Sequence, residues 1–336
     1  MSVAVTLQRR IGGQHVSAVG LGCMNLSHAY GTPPPVEAAR ALLLRALDLG
    51  VDHFDTAALY GFGRNEELIG ETLAPHRRRV FLASKCAMTG VEGKRVIDGR
   101  PEVIRRTCQE ALRRLRTDVI DLYYLHRWDK KVPIEESMGA MAELVRAGHV
   151  RQVGVSEVSV ATLRRAHAVH PIAAVQSEYS LWSRNAELGV LDACREIGAA
   201  FVAFSPLGRG FLGDAVADPQ ALTAQDLRRS MPRFQEPNFS ANRALLPAYR
   251  TIAAEAGCTP AQFALAWLLH RAPHVLPIPG TTSPAHLAEN VAAANLRVDA
   301  ALLARADALI NARTVSGARY SAATLMEVDT EESIQS

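Results

Sequence analysis

Eight short apolar runs, rich in β-branched residues, recur along the chain with amphipathic segments between them. The runs cover residues 16–22, 52–55, 80–84, 119–126, 150–156, 173–176, 201–205 and 275–279. Helical patterns occupy 35–49, 100–116, 133–146, 159–170, 186–198 and 241–271. In the first of these Leu42, Leu43 and Ala46 share a face, and in the second Pro101 stands where a first helical turn accepts proline. Gly50, Gly148 and Gly198 each follow a helical stretch, where a left-handed cap favours glycine. Strands that alternate with helices pair in parallel through right-handed crossovers. An open doubly wound sheet and a closed (β/α)8 TIM barrel both obey that rule; eight evenly spaced strands favour the barrel. Gly12-Gly13 joins 6–11 to 14–17, which predicts a β-hairpin ahead of the first barrel strand.

The 336 residues suit one barrel with additions. No linker or repeat divides them, so a single domain is expected over 1–336. Two segments break the rhythm. Residues 207–240 form a long polar loop after strand seven, and loops of that length are functional or disordered. From about residue 314 the tail, carrying Glu327, Asp329, Glu331 and Glu332, is expected to be loose or to fold over the barrel mouth.

Several function classes are excluded. A formal net charge of +3 is too small to argue for a nucleic-acid or anionic-membrane partner. The basic run His76-Arg77-Arg78-Arg79 reads as a solvated turn. No apolar run reaches the ~18 residues of a membrane span, and residues 1–13 lack the apolar core of a signal peptide. Five scattered cysteines show no metal-ligand spacing. Free thiols and a cytoplasmic location are the resulting expectation, with no metal.

Polar residues collect at the C-terminal ends of the strands, where a barrel carries its active site. They are Asp55, Lys85, His126, Ser156 with Glu157, Gln176, Ser205, and Gly280 with Thr281. Singly, each has a bland alternative: a helix cap, a solvated lysine, a structural histidine. Together with Tyr60 they have a use. A phenol near pKa ~10 is a poor acid at neutral pH, and a neighbouring ammonium lowers that value. Asp55 would hold Lys85, and His126 would bond a substrate oxygen. Such a site protonates an alkoxide as it forms, which is what carbonyl reduction requires. Gly208-Arg209-Gly210-Phe211-Leu212-Gly213 matches a dinucleotide fingerprint, but no helix pattern follows it, so a Rossmann site is not expected. Its glycines still permit close approach to a phosphate.

Phe54-Asp55-Thr56-Ala57 with Tyr60-Gly61, Ala83-Ser84-Lys85, Leu125-His126, Gly154-Val155-Ser156 and Phe204-Ser205-Pro206-Leu207-Gly208-Arg209-Gly210 resemble the aldo-keto reductase superfamily. The likeness runs from Leu7 to Val291. Val132-Pro133-Ile134-Glu135, Arg165-Ala166-His167 and Gln176-Ser177-Glu178-Tyr179-Ser180-Leu181-Trp182 resemble a subgroup with perakine reductase-like and auxin-induced-protein-like members. The resemblance implies a tetrad of Asp55, Tyr60, Lys85 and His126, with Tyr60 as general acid and hydride coming from nicotinamide C4. It implies that Ser156 and Gln176 hold the carboxamide and that Phe204 stacks on the nicotinamide. Ser205, Leu207, Gly208 and Gly210 would lie near the pyrophosphate. Gly22, Met24, Asp55, Ile278, Gly280, Thr281, Thr282, His286, Glu289 and Asn290 complete the implied cofactor set.

NADP-preferring members place a basic residue four before the adenosine-site asparagine, here Asn290. His286 occupies that place, where arginine would pair a phosphate better. NADPH is the expected cofactor, with NADH as the alternative. Glu157 departs from the family's commoner asparagine. Tyr30, Arg127 and Trp128, with Tyr60 and His126, are the candidate substrate residues; Trp128 either lines the pocket mouth or packs under a loop. The leading expectation is reduction of a small aldehyde or ketone. The others are oxidation of a sugar or secondary alcohol by the same site, and a cofactor-bound regulatory subunit. Oligomeric state is left open.

Overall fold

The computed structural model describes residues 7–330. Thr6, at the start of the expected hairpin, and Glu331 and Glu332 of the tail lie outside them.

The described residues open with β1 (Gln8–Ile11) and β2 (Gln14–Ser17), an antiparallel hairpin. The barrel begins with β3 (Leu21–Gly22), α1 (Val36–Asp48), β4 (His53–Asp55), α2 (Arg64–Leu73) and β5 (Phe81–Cys86). A second hairpin, β6 (Met88–Val91) and β7 (Lys94–Ile97), interrupts the alternation before α3 (Pro101–Leu115). Then come β8 (Ile120–Leu125), α4 (Ile134–Arg146), β9 (Val150–Ser156), α5 (Val160–Val169), β10 (Ile172–Glu178), α6 (Val190–Ile197) and β11 (Ala200–Phe204). After the long loop follow α7 (Asn238–Arg243), α8 (Leu246–Glu255), α9 (Pro260–Arg271), β12 (Val275–Pro277), α10 (Pro284–Ala292), α11 (Ala300–Leu309) and α12 (Ala322–Leu325).

The eight long-range strands pair in parallel in the order β3, β4, β5, β8, β9, β10, β11, β12. The ring closes where the Gly20 and Gly22 amides donate to the Pro277 and Pro279 carbonyls at 3.0 and 3.2 Å. That closure separates the barrel from the open sheet. Inside it Phe81, Leu122, Tyr124, Val202 and Leu276 pack with Ile11 and Val16 of the first hairpin, which therefore plugs one end. A larger apolar layer lies between strands and helices. The three glycine caps have φ of 86°, 78° and 72° at Gly50, Gly148 and Gly198.

Several expectations are corrected. Residues 241–271 are not one helical stretch: Gly257 turns left-handed at φ 69°, and Thr259 caps a new helix that starts at Pro260. The loop after β11 is a series of short 3-10 turns. Arg77 is not simply solvated; its guanidinium lies 2.6 Å from the buried Asp121 carboxylate and also binds the Val80 and Val119 carbonyls. The described tail is docked rather than loose. Val315, Tyr320 and Val328 are buried, and Asp329 accepts from the Ser159 amide and hydroxyl at the start of α5.

Candidate active site

A cavity of about 670 Å³ opens at the C-terminal end of the barrel strands. At its floor lies the cluster that strand register assembles. Asp55 ends β4, and its neighbour in register on β5 is Ala83, two residues before Lys85. Lys85 is fully buried. Its ammonium donates to Asp55 Oδ1, to the Thr56 carbonyl at 2.8 Å and to the Tyr60 hydroxyl at 3.3 Å. An ammonium has three donors, so all are spent. Because the Tyr60 oxygen accepts from Lys85, its own O–H is left to donate into the cavity. Tyr60 is held there by a tight turn in which Gly61 and Phe62 both have positive φ. Asp55 Oδ2 accepts from Gln176 Nε2 at 2.7 Å, which fixes the carboxylate from its other side.

His126 presents its ring edge-on to Tyr60, with centroids 5.9 Å apart. Its Nδ1 is buried without a partner, so hydrogen bonding to a ligand falls to Nε2. Burial pushes its pKa well below the usual value, and the positive fields of Lys85, Arg127 and Arg95 add to that. The imidazole is therefore neutral at pH 7. For Tyr60, burial raises the phenol above its ordinary value near 10, while Lys85 pulls it down by less. The ammonium thus acts in the expected direction, but the dry surroundings outweigh it. Burial likewise lowers Lys85, yet Asp55 and Tyr60 hold its ammonium above the usual range.

Most residues implied by the resemblance meet on this cavity. Gly22, Met24, Ser156, Gln176, Phe204, Ser205, Leu207, Gly210, Ile278, Gly280, Thr281, Thr282, His286, Glu289 and Asn290 line it, as do Asp55, Tyr30, Tyr60, His126 and Arg127. Lys85 lies beneath Tyr60. Two residues are not brought to it. Gly208 faces Trp182, where an added Cβ would come within 2.7 Å of the indole. Trp128 donates to the Val132 carbonyl at 2.8 Å and packs against the core beside Arg165.

The cavity suits an extended dinucleotide. Glycine lets the segments of its wall approach closely: a Cβ on Gly22 would meet the Ile278 carbonyl at 2.8 Å, and one on Gly280 would meet Asn25 Oδ1. Its far end is the N-terminus of α10, capped by Ser283, with Thr281, Thr282 and the exposed His286 beside it. Hydroxyls at a helix N-terminus suit a phosphate.

Sequence reasoning missed the β6–β7 hairpin as a wall of the site, whereas the tail takes the second of its two expected courses and folds over the mouth. Arg95, Tyr320 and Glu327 line the cavity, and Arg95 pairs with Glu327. The signal for the hairpin was present: Glu92-Gly93, both at positive φ, link Val91 to Lys94 in a two-residue turn. No local pattern announced the tail contact. Glu157 also proves to be occupied elsewhere. Both its oxygens take Arg319 of the tail, at 2.9 and 2.6 Å.

Residues 18–311 match the model of the aldo/keto reductase family. The chain belongs to that family, and with it to the NAD(P)H-dependent oxidoreductases. Solved aldo-keto reductases share the architecture. A glycerol dehydrogenase from Gluconobacter oxydans is 30% identical with a TM-score of 0.83, over 93% of this chain and 97% of its own. A holo-form aldo-keto reductase from Bacillus halodurans is 26% identical with a TM-score of 0.75, over 94% and 99%. An aldo/keto reductase from Klebsiella pneumoniae, solved with NADP and acetate, is 28% identical with a TM-score of 0.72, over 94% and 99%. No helix among the described residues is long and apolar enough to cross a membrane.

Proposed function

We propose that this aldo/keto reductase reduces a small aldehyde or ketone to an alcohol with NADPH. The observation that carries the reading is the Tyr60 hydroxyl, which accepts from a fully spent ammonium and keeps its own proton for the cavity. Bound NADPH supplies hydride chemistry. The protein's residues do the rest. Ser156 and Gln176 would hold the carboxamide; with one Nε2 hydrogen given to Asp55, Gln176 still offers Oε1 and its second N–H. Phe204 gives a stacking face, and Ser205, Leu207 and Gly210 flank the diphosphate. Neutral His126 donates from Nε2 to the carbonyl oxygen and orients it. As negative charge grows on that oxygen, Tyr60 delivers its proton, and the Lys85 ammonium offsets the charge left on the phenolate.

The same groups can run backwards, and the Gluconobacter relative bears a dehydrogenase's name. Reduction is the direction to assay first, since it starts from a protonated Tyr60, and burial keeps the phenol above its ordinary value. The test is loss of NADPH absorbance with a panel of aromatic and aliphatic aldehydes. Turnover of at least one is expected; NADPH binding with no turnover across the panel overturns the reading.

Cofactor choice gives a separate prediction. His286→Arg should raise the preference for NADPH over NADH, as a ratio of kcat/KM, by roughly tenfold, since arginine pairs a phosphate bidentately and stays charged. An unmoved ratio would show that the 2′-phosphate is not held at this turn.

A further inference from the structure

Four arginines line the cavity: Arg95, Arg127, Arg209 and Arg228. Three are matched by carboxylates. Arg95 pairs with Glu327, Arg209 lies 2.6 Å from Glu178, and Arg228 lies 2.7 Å from Asp226. Arg127 has no carboxylate partner among the described residues. Its Nη1 donates to the His126 carbonyl at 2.7 Å and to Ser156 Oγ at 3.1 Å. A guanidinium has five N–H donors in a planar fork, so Nη2 and Nε remain unspent.

Among the described residues, no carboxylate that lines the cavity is free to neutralise this charge. The nearby Glu157 carboxylate, which feels Arg127, gives both oxygens to Arg319. The carboxylates that line the cavity are engaged as well: Asp55 by Lys85, Asp214 by Arg250, Glu327 by Arg95, and Glu289 by the Thr259 hydroxyl. With Trp128 turned away, the rim beside His126 is cationic where an aromatic wall was one expectation.

From the spare guanidinium beside the acid and the orienting histidine, we infer that the substrate is a carbonyl compound carrying a carboxylate, clamped by Arg127. The inference rests on the reductase reading and narrows it. A carboxylate matches the fork of arginine with two parallel hydrogen bonds, which a neutral ester cannot accept with equal strength. Within the same cavity the carbonyl would reach Tyr60 and His126 while the carboxylate sits on the Arg127 side.

The experiment compares 2-, 3- and 4-carboxybenzaldehyde with their methyl esters, on wild type, Arg127→Met and Arg127→Lys. In the wild type at least one acid should exceed its ester in kcat/KM by roughly tenfold or more. The ratio should collapse toward one in Arg127→Met and recover in part in Arg127→Lys, which keeps the charge but loses the fork. A wild-type ratio near one, or a ratio that survives Arg127→Met, overturns the inference while ester turnover leaves the reductase reading standing. Calorimetry of the full chain with benzoate and benzamide gives a readout independent of turnover. Benzoate should bind roughly tenfold tighter in the wild type and lose that advantage in Arg127→Met. If neither aldehydes nor esters react, the reductase reading fails, and equal binding of benzoate and benzamide then overturns the anion clamp as well. Circular dichroism and melting temperature confirm that each variant is folded.

Discussion

Tyr60→Phe is expected to lower kcat for carbonyl reduction by roughly 10²- to 10⁴-fold, the usual contribution of a positioned general acid. The change removes one oxygen and keeps a buried ring, so no cavity forms. Lys85 loses one of three acceptors but retains Asp55 and the Thr56 carbonyl. Stability and NADPH affinity should therefore move little while chemistry collapses. Single-turnover kinetics measure the first quantity, and thermal unfolding and cofactor titration the other two. Unchanged turnover would remove Tyr60 from the mechanism.

The pH dependence of the wild type follows from the same group. A proton donor works while protonated, so reduction should stay flat through neutral pH and fall as pH rises through the phenol's value. Burial places that value above 10, with Lys85 opposing but not cancelling the shift. A decline centred below 10 would mean that the ammonium, not burial, dominates the site. His126 adds no step near neutral pH, because its ring is held neutral well below the usual imidazole value.

The second large effect concerns the tail. Arg319→Met should destabilise the protein by about 3–5 kcal/mol, because it strands the buried Glu157 carboxylate without its partner. Arg319 is 7% exposed and Glu157 1%, so solvent cannot take over the lost interaction. The double variant Glu157→Gln with Arg319→Met should be markedly more stable than Arg319→Met alone, since the stranded charge is gone. Denaturant melts of the three proteins check this; a double variant no better than the single would show that packing, not charge, holds the tail. Burial raises the Glu157 carboxyl, but Arg319, with Arg127 and the Glu178 amide, together outweigh it and leave it below the ordinary value near 4.5. A depressed carboxylate stabilises above its unfolded value and loses that contribution as pH falls through its folded one. The tail should therefore loosen in acid, not in base.

The barrel was legible because its cues are local. A two-residue period marks strands, a 3.6-residue period marks helices, and the three glycine caps need only their own φ. The clustering of polar side chains was legible for a related reason: residues at strand ends inherit one side of the barrel from the fold, so Asp55, Lys85 and His126 share a mouth once the strands are placed. The break in 241–271 was less so, although Gly257 and the Thr259-Pro260 cap carry its signal.

What the sequence by itself determined is the order of the eight barrel strands and the end of the barrel at which Asp55, Lys85 and His126 collect. Only the tertiary structure decided which groups have partners. Arg319 reaches Glu157 across 162 positions, Arg95 reaches Glu327 across 232, and Trp128 turns away from the cavity its neighbour Arg127 lines. Those pairings also decide that the Tyr60 hydroxyl accepts from Lys85 and that Arg127 keeps a free edge. Periodicity constrains residues a few positions apart, whereas an ion pair depends on distance and desolvation in the folded chain, which no local pattern encodes.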